Sequence, residues 1–400
     1  MHLPNERIHR ELRSEQGGAW FVLANKGEET AVLIKAPTPT LKALLSGSAL
    51  GFIFGSKDGY LCCGVRIYDV PEAAILLCSV QRHDDEHTAL RKIALNGFTP
   101  VFLYNEMDVC VAWSDGKLLP HESKALSEFV TIPQGFYVGQ FTAQASSVLD
   151  SFCSATDPTL PNLDTPDIKT IEISVEHGPW TSNTVHFVGE HDAHSIILDD
   201  KDEGSILEKA AWASLESVFS HNLHKSPQVH YGETHRELTD VIASYQYGTF
   251  LIEAKDLSVF AAGTTRTQVR RALGVQKQIK TAIGQLVGAS KKAKRGEKVT
   301  DLNGNILQLV LDKPFHCIVL VSDLLLDGDW DEIVALLCDA MIETRDFFQV
   351  LDLSELINLL KGSSGKAELL DYNLMERQKA FVEHRSVHIR CNFIRPENTL

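Results

Sequence analysis

The chain has no long apolar run. No segment approaches the roughly 18 uninterrupted apolar residues that a bilayer-crossing helix needs, so neither a helical membrane protein nor a membrane partner is expected. The first residues, MHLPNERIHRELRSE, are polar and of mixed charge, unlike a secretory signal or an Arg-rich transit peptide, and a cytoplasmic location is expected. No CxxC pair occurs. The cysteines, at 62, 63, 78, 110, 153, 317, 338 and 391, fall mostly inside apolar runs such as YLCCGV and HCIVLV, which reads as reduced core residues rather than a disulfide framework. Vicinal Cys62 and Cys63 would project to opposite faces of a strand, which argues against a zinc site. A P-loop, a GxSxG elbow and a GxGxxG between strand and helix are also missing, so any energy-driven translocation must come from another protein. The spaced histidine pairs His83/His87, His191/His194 and His221/His224 come without a matching third ligand and read as exposed or structural.

Four hundred residues exceed the usual ceiling for one hydrophobic core, so two domains are expected. Apolar content of 44% with 23% charged residues is ordinary for a soluble globular protein. The net charge of −15 argues against a protein that coats nucleic acid indiscriminately. Yet the charge is uneven. Between Thr264 and Lys298 ten basic residues, from Arg266 to Lys298, face one acid, Glu297.

Residues 19–114 alternate short apolar strands with helix-like runs and Gly- or Asp-containing turns, which predicts a mixed α+β N-terminal domain over residues 1–145. It carries no catalytic motif, and Asp69, Glu72 and Glu106 read as turn or strand-end acids. Residues 146–168 are rich in Ser, Thr, Asp and Pro, with prolines at 158, 161 and 166, and read as a linker. A second domain is expected over 169–400, and two strands, KTIEISVEH and NTVHFVG, either lead into it or complete the first. Its core, 204–360, runs helix, strand, strand, helix, strand, helix, strand, helix, an order that implies an α/β architecture: a mixed sheet flanked by helices.

In that core, RELTDVIASY and TFLIEAKDLSV read as a hairpin with Gly248 near its tip. Glu253 and Lys255 are two apart and so share a strand face, while Phe250, Ile252 and Ala254 point the other way. Two charges in so apolar a strand are costly unless they are paired or hold a metal. Asp240, thirteen residues before Glu253, lies on the preceding strand, where the hairpin brings the two carboxylates together. Phosphodiester hydrolysis needs little more: a hard cation held by one or two carboxylates, and a lysine to act on the attacking water or the developing charge.

This stretch, RELTD–VIASYQYGTFLIEAK, resembles the core motif of PD-(D/E)xK restriction-endonuclease-like nucleases, especially Mrr-like enzymes. The resemblance covers about residues 204–360. Asp240 matches the first acid, with Thr239 in place of the family's proline, and Glu253 and Lys255 match the ExK. Glu208, on the upstream helix, matches the family's helical acid, which makes Asp240, Glu253 and Glu208 the expected ligands of Mg²⁺, with Mn²⁺ as a substitute. The family also has an active-site glutamine on a downstream basic helix. On the helical wheel Val269, Ala272, Gln276, Ile279 and Ile283 share one face and Gln278 lies almost opposite, so Gln276 is the expected one. Arg270, Arg271, Lys277 and Lys280 are the expected phosphate contacts. The resemblance implies an endonuclease acting on DNA and, by analogy, a role in restriction or anti-phage defence. The alternatives are an RNA-directed nuclease and a silent nuclease fold that binds nucleic acid or protein. The N-terminal domain is expected to be a sensor, a specificity module, or a unit for homo-oligomerisation or partner binding.

Overall fold

A computed structural model describes residues 4–70, 74–157, 167–189, 193–231, 234–256, 267–324 and 328–390. Glu72, the three prolines of the expected linker, His191, Arg266 and Cys391 lie outside these. The chain is a mixed α/β protein that divides into two compact units, one formed mainly by Met1–Thr184, the other by Val185–Ile196, Asp200–Ser258 and Gln268–Leu400.

The first unit is built on a nine-stranded sheet. Its strands are β1 (Gly18–Ala24), β2 (Glu29–Lys35), β3 (Leu50–Lys57), β4 (Tyr60–Ile67), β5 (Ile75–Gln81), β6 (Phe98–Tyr104), β7 (Cys110–Leu118) and β8 (Lys169–His177), in the order β1-β2-β6-β7-β8-β3-β4-β5, with β9 (Thr181–Ser182) paired to β7. Phe21 on β1 meets Phe52 on β3 edge to face at 5.1 Å although four strands separate them in the sheet, so the sheet curls on itself around these rings. Helices α1 (Glu6–Ser14), α2 (Thr38–Leu45), α3 (Asp84–Asn96) and α4 (Pro120–Val130) complete the mixed α+β plan. Glu106, a strand-end acid, has a structural role. Its carboxylate accepts from the Thr38 N–H at 2.7 Å and the Thr38 hydroxyl at 2.8 Å, capping α2.

Two boundaries differ from the sequence reading. Residues 146–168 do not form a continuous linker, because α5 spans Ala143–Thr156. Ala145, Val148 and Phe152 recur at helical spacing beneath a Ser-rich exterior and pack onto Ile53, Cys62 and Val80. The second domain does not begin at 169 either, since β8 pairs with both β3 and β7 and thus completes the first sheet, where Ile173 and Val175 are buried.

In the second unit a five-stranded sheet has the order β12 (Leu223–Lys225), β15 (Val241–Tyr245), β16 (Gly248–Lys255), β18 (His316–Val321), β19 (Phe347–Asp352). β12, β15 and β16 are antiparallel neighbours, and β16, β18 and β19 run parallel. Each parallel pair needs a helical crossover. α7 (Gln268–Lys294) and α8 (Asp331–Thr344) supply them and pack together, while α6 (Glu203–Leu215) packs on α9 (Leu353–Ser363), and α10 (Ala367–His384) closes the chain against β19. β16 and β18 are buried on both faces, as strands covered by helices on each side must be. A hairpin of β10 (Val185–Val188) and β11 (Ala193–Ile196) lies beside α6, and β13 (Gln228–Tyr231), β14 (Thr234–Glu237) and β17 (Val299–Thr300) form a small separate sheet. The expected single strand RELTDVIASY is therefore two: β14 ends at Glu237, and the chain bends through Leu238–Asp240 before β15 joins the main sheet.

Candidate active site

The hairpin ladder runs from Tyr245↔Gly248 to Val241↔Ile252 and stops there. Beyond it, side chains take over the pairing. Thr239, which is buried, donates its hydroxyl to the Ile252 carbonyl at 2.8 Å, and the Asp240 carboxylate accepts the Ala254 N–H at 2.7 Å. Asp240 is thereby fixed against the β16 segment that carries the ExK.

Glu253 and Lys255 project from one face as the two-residue period requires. The Lys255 ammonium lies 2.8 Å from Glu253 Oε2 and 3.5 Å from Asp240 Oδ2, so the three predicted groups converge on one point. Glu253 is 2% exposed. Burial, and next the charge of Asp240, push its pKa up to about 7 against the pull of Lys255 and Thr239. For Lys255, burial works against the ammonium, but the hydrogen bond and charge of Glu253, backed by Asp240, outweigh it and raise the pKa. Two carboxylates thus face one ammonium in a pocket whose burial disfavours the charged form of Glu253.

Glu208 faces the same cluster from α6. It sits 3.7 Å from Lys225. Burial, then the charge of Asp240, push its pKa up, with Lys225 and Lys255 opposing and Glu237 adding to the rise. Glu237 and Lys225 are thus further charged groups at the rim which sequence reasoning missed. Neither carries a pattern; the bend at 238–240 and the pairing of β12 with β15 bring them there.

The donor chemistry fits a hard cation of the Mg²⁺ kind, which asks for few protein oxygens and fills its shell with water. Asp240 and Glu253 supply carboxylate oxygens at one point, and a cation there would favour the charged form of Glu253 that burial and Asp240 disfavour. Among the described residues no group of three or more His, Cys, Asp or Glu is arranged to hold a metal ion, so Glu208 does not complete a protein-only cage.

The glutamine expectation changes. Gln276 is buried as predicted, but its amide donates to the Asp329 carbonyl at 2.8 Å, beside the start of α8. Gln278 instead donates to the carbonyl of Asp256, the residue after Lys255, at 2.8 Å, and its Oε1 is buried without a hydrogen-bond partner. The wheel identified which glutamine faces the core; the core at that point is the α8 side, and the end of β16 is reached from the flank.

The basic strip is also altered. Lys280, expected to meet phosphate, pairs instead with Glu332, and Lys291 pairs with Glu343 and Lys294 with Asp346, so α7 is tied to α8 and to the residues just after it. Arg270 and Lys277 are exposed and Arg271 half-buried at the N-terminal half of α7. Compared with family models, curated proteins and solved structures, the chain matches none.

Proposed function

We propose that the second unit is a metal-dependent phosphodiesterase that cleaves DNA through Asp240, Glu253 and Lys255. The observation that carries this reading is the convergence of two carboxylates and one lysine at the end of an otherwise apolar, buried strand. Buried charges are costly, and clusters of them gather at functional sites. An antiparallel hairpin feeding parallel strands through helical crossovers, with the three residues at the end of β16, also supports this reading.

Asp240 and Glu253 would hold the cation, with Glu208 positioned to bind one of its waters. A bound Mg²⁺ would polarise the scissile phosphate and acidify a water. Lys255, kept protonated by its two acids, is suited to steady negative charge developing on the phosphate rather than to take a proton. Arg270, Arg271 and Lys277 would contact the phosphate backbone. A catalytically silent binding module is the second reading, favoured by one observation: Lys255 bridges both carboxylates, as a purely structural charge cluster would. Incubating the full chain with plasmid, oligonucleotide DNA and RNA in Mg²⁺, Mn²⁺ or EDTA separates the readings. Metal-dependent nicking or linearisation of DNA supports the proposal; intact substrate under every condition supports the silent module, and cleavage of RNA alone reassigns the substrate.

A further inference from the structure

The seven cysteines among the described residues do not share one environment. Cys62, Cys63 and Cys317 are buried, whereas Cys78 and Cys153 are half-buried and lie with their sulfurs 3.3 Å apart. Cys78 comes from β5 and Cys153 from α5, 75 residues further along the chain. They meet at the margin of the cluster formed by Ile53, Cys62, Val80, Val148 and Phe152. Cys78 also lines a cavity of about 400 Å³ bounded by Trp20, Arg82, Glu86 and Phe141, so a small molecule has space beside one sulfur. The hydrogen bond between the thiols favours ionisation of Cys153, whose pKa falls to about 7 against burial and the charges of Asp150 and Asp157, and it pushes Cys78 upward. Cys62, the third thiol nearby, is pushed up to about 12 by burial, then by Cys153, and stays protonated.

A thiolate next to a protonated thiol is the arrangement in which oxidation proceeds to a disulfide, because the first sulfur is nucleophilic and the second resolves the product. We propose that Cys78 and Cys153 form a two-cysteine oxidation site in the first unit whose substrate is a peroxide. The Cys153 thiolate attacks one oxygen of hydrogen peroxide, the O–O bond breaks, and hydroxide leaves, giving a sulfenic acid. The Cys78 sulfur then attacks the Cys153 sulfur. The sulfenic oxygen departs as water with the Cys78 proton, and the disulfide closes. The hydroxide takes up the proton that Cys153 released on ionising, so two thiols lose two electrons, one peroxide gains them, and two waters result. The cross-link ties α5 to the edge strand β5, closing a long loop that constrains the unfolded chain.

The test exposes the full chain to graded hydrogen peroxide, blocks the remaining thiols with iodoacetamide, and maps the peptides by mass spectrometry. The expected result is one intramolecular link joining the Cys78 and Cys153 peptides, reversed by dithiothreitol and accompanied by a rise of several degrees in the melting temperature. Cys78→Ser should let dimedone trap a sulfenic acid at Cys153, whereas Cys153→Ser should leave Cys78 unoxidised at the same dose. A link from Cys153 to Cys62, or oxidation of methionines before any disulfide forms, overturns the proposal. Because the wild-type map alone reports the link, a variant that fails to fold leaves the proposal open to refutation.

Discussion

Removing the charge of Glu253 should stabilise the metal-free protein above neutral pH and do little below pH 5. Glu253 has its pKa raised from 4.5 to about 7 in the folded state, first by burial and then by Asp240. A carboxyl raised in the native state contributes its stability when protonated and loses it as pH climbs from the unfolded value through the folded one. At about 1.4 kcal/mol per pH unit, the difference corresponds to about 3 kcal/mol lost between roughly pH 4.5 and pH 8. Glu253→Gln keeps the shape and an oxygen to accept from Lys255 while removing the charge, and the weaker bond to the ammonium takes back about 1 kcal/mol. The variant should therefore exceed wild type by about 2 kcal/mol at pH 8 in EDTA, with the gap closing near pH 5. Urea denaturation of both proteins across that range, monitored by circular dichroism, measures it. A variant less stable than wild type at pH 8, or a gap independent of pH, would show that the Glu253–Lys255 pair stabilises the fold and that the site carries no excess charge.

Two further expectations concern the flank of the site. Gln278→Ala should lower cleavage by about tenfold or more while Gln276→Ala loosens the α7–α8 packing with a cost of about 1 kcal/mol and little effect on rate, since only Gln278 reaches the residue after Lys255; equal rate losses in both variants would refute the distinction. Replacing Arg270, Arg271 and Lys277 together should flatten the salt dependence of DNA binding, by about 0.9 in the log–log slope for each phosphate no longer neutralised, while Lys280→Ala alone changes it little because Glu332 already neutralises it. An unchanged slope in the triple variant would make the strip a solvated face.

Local periodicity carried much of the second unit. The alternation in TFLIEAK placed Glu253 and Lys255 on one face, and the helices and strands expected from 204 to 360 correspond to α6, β15, β16, α7, β18, α8, β19 and α9, with the short strands β12, β13, β14 and β17 between them unforeseen. What the sequence concealed was set by distant partners. The ion pairs of Lys280, Lys291 and Lys294 were not legible because Glu332, Glu343 and Asp346 lie some fifty residues away, on α8 or just beyond its end. α5 was masked by its Ser-rich exterior, since only three apolar positions, Ala145, Val148 and Phe152, mark its buried face. β8 could not be allotted from its pattern, because insertion between β7 and β3 is a long-range pairing that alternation does not specify. Gln276 was misread for a related reason: helical spacing tells which side chains face inward, and the neighbour found there depends on where α8 packs.

Plasmid cleavage in Mg²⁺ by wild type and Lys255→Ala, with Mn²⁺ affinity of both, and of Asp240→Asn, measured by calorimetry on the same preparations, decides whether Asp240, Glu253 and Lys255 form a nuclease centre. If they do, wild type cuts, Lys255→Ala binds Mn²⁺ but does not cut, and Asp240→Asn loses Mn²⁺ affinity along with activity. Undiminished cleavage by Lys255→Ala, or Mn²⁺ binding unaffected in Asp240→Asn, would contradict it.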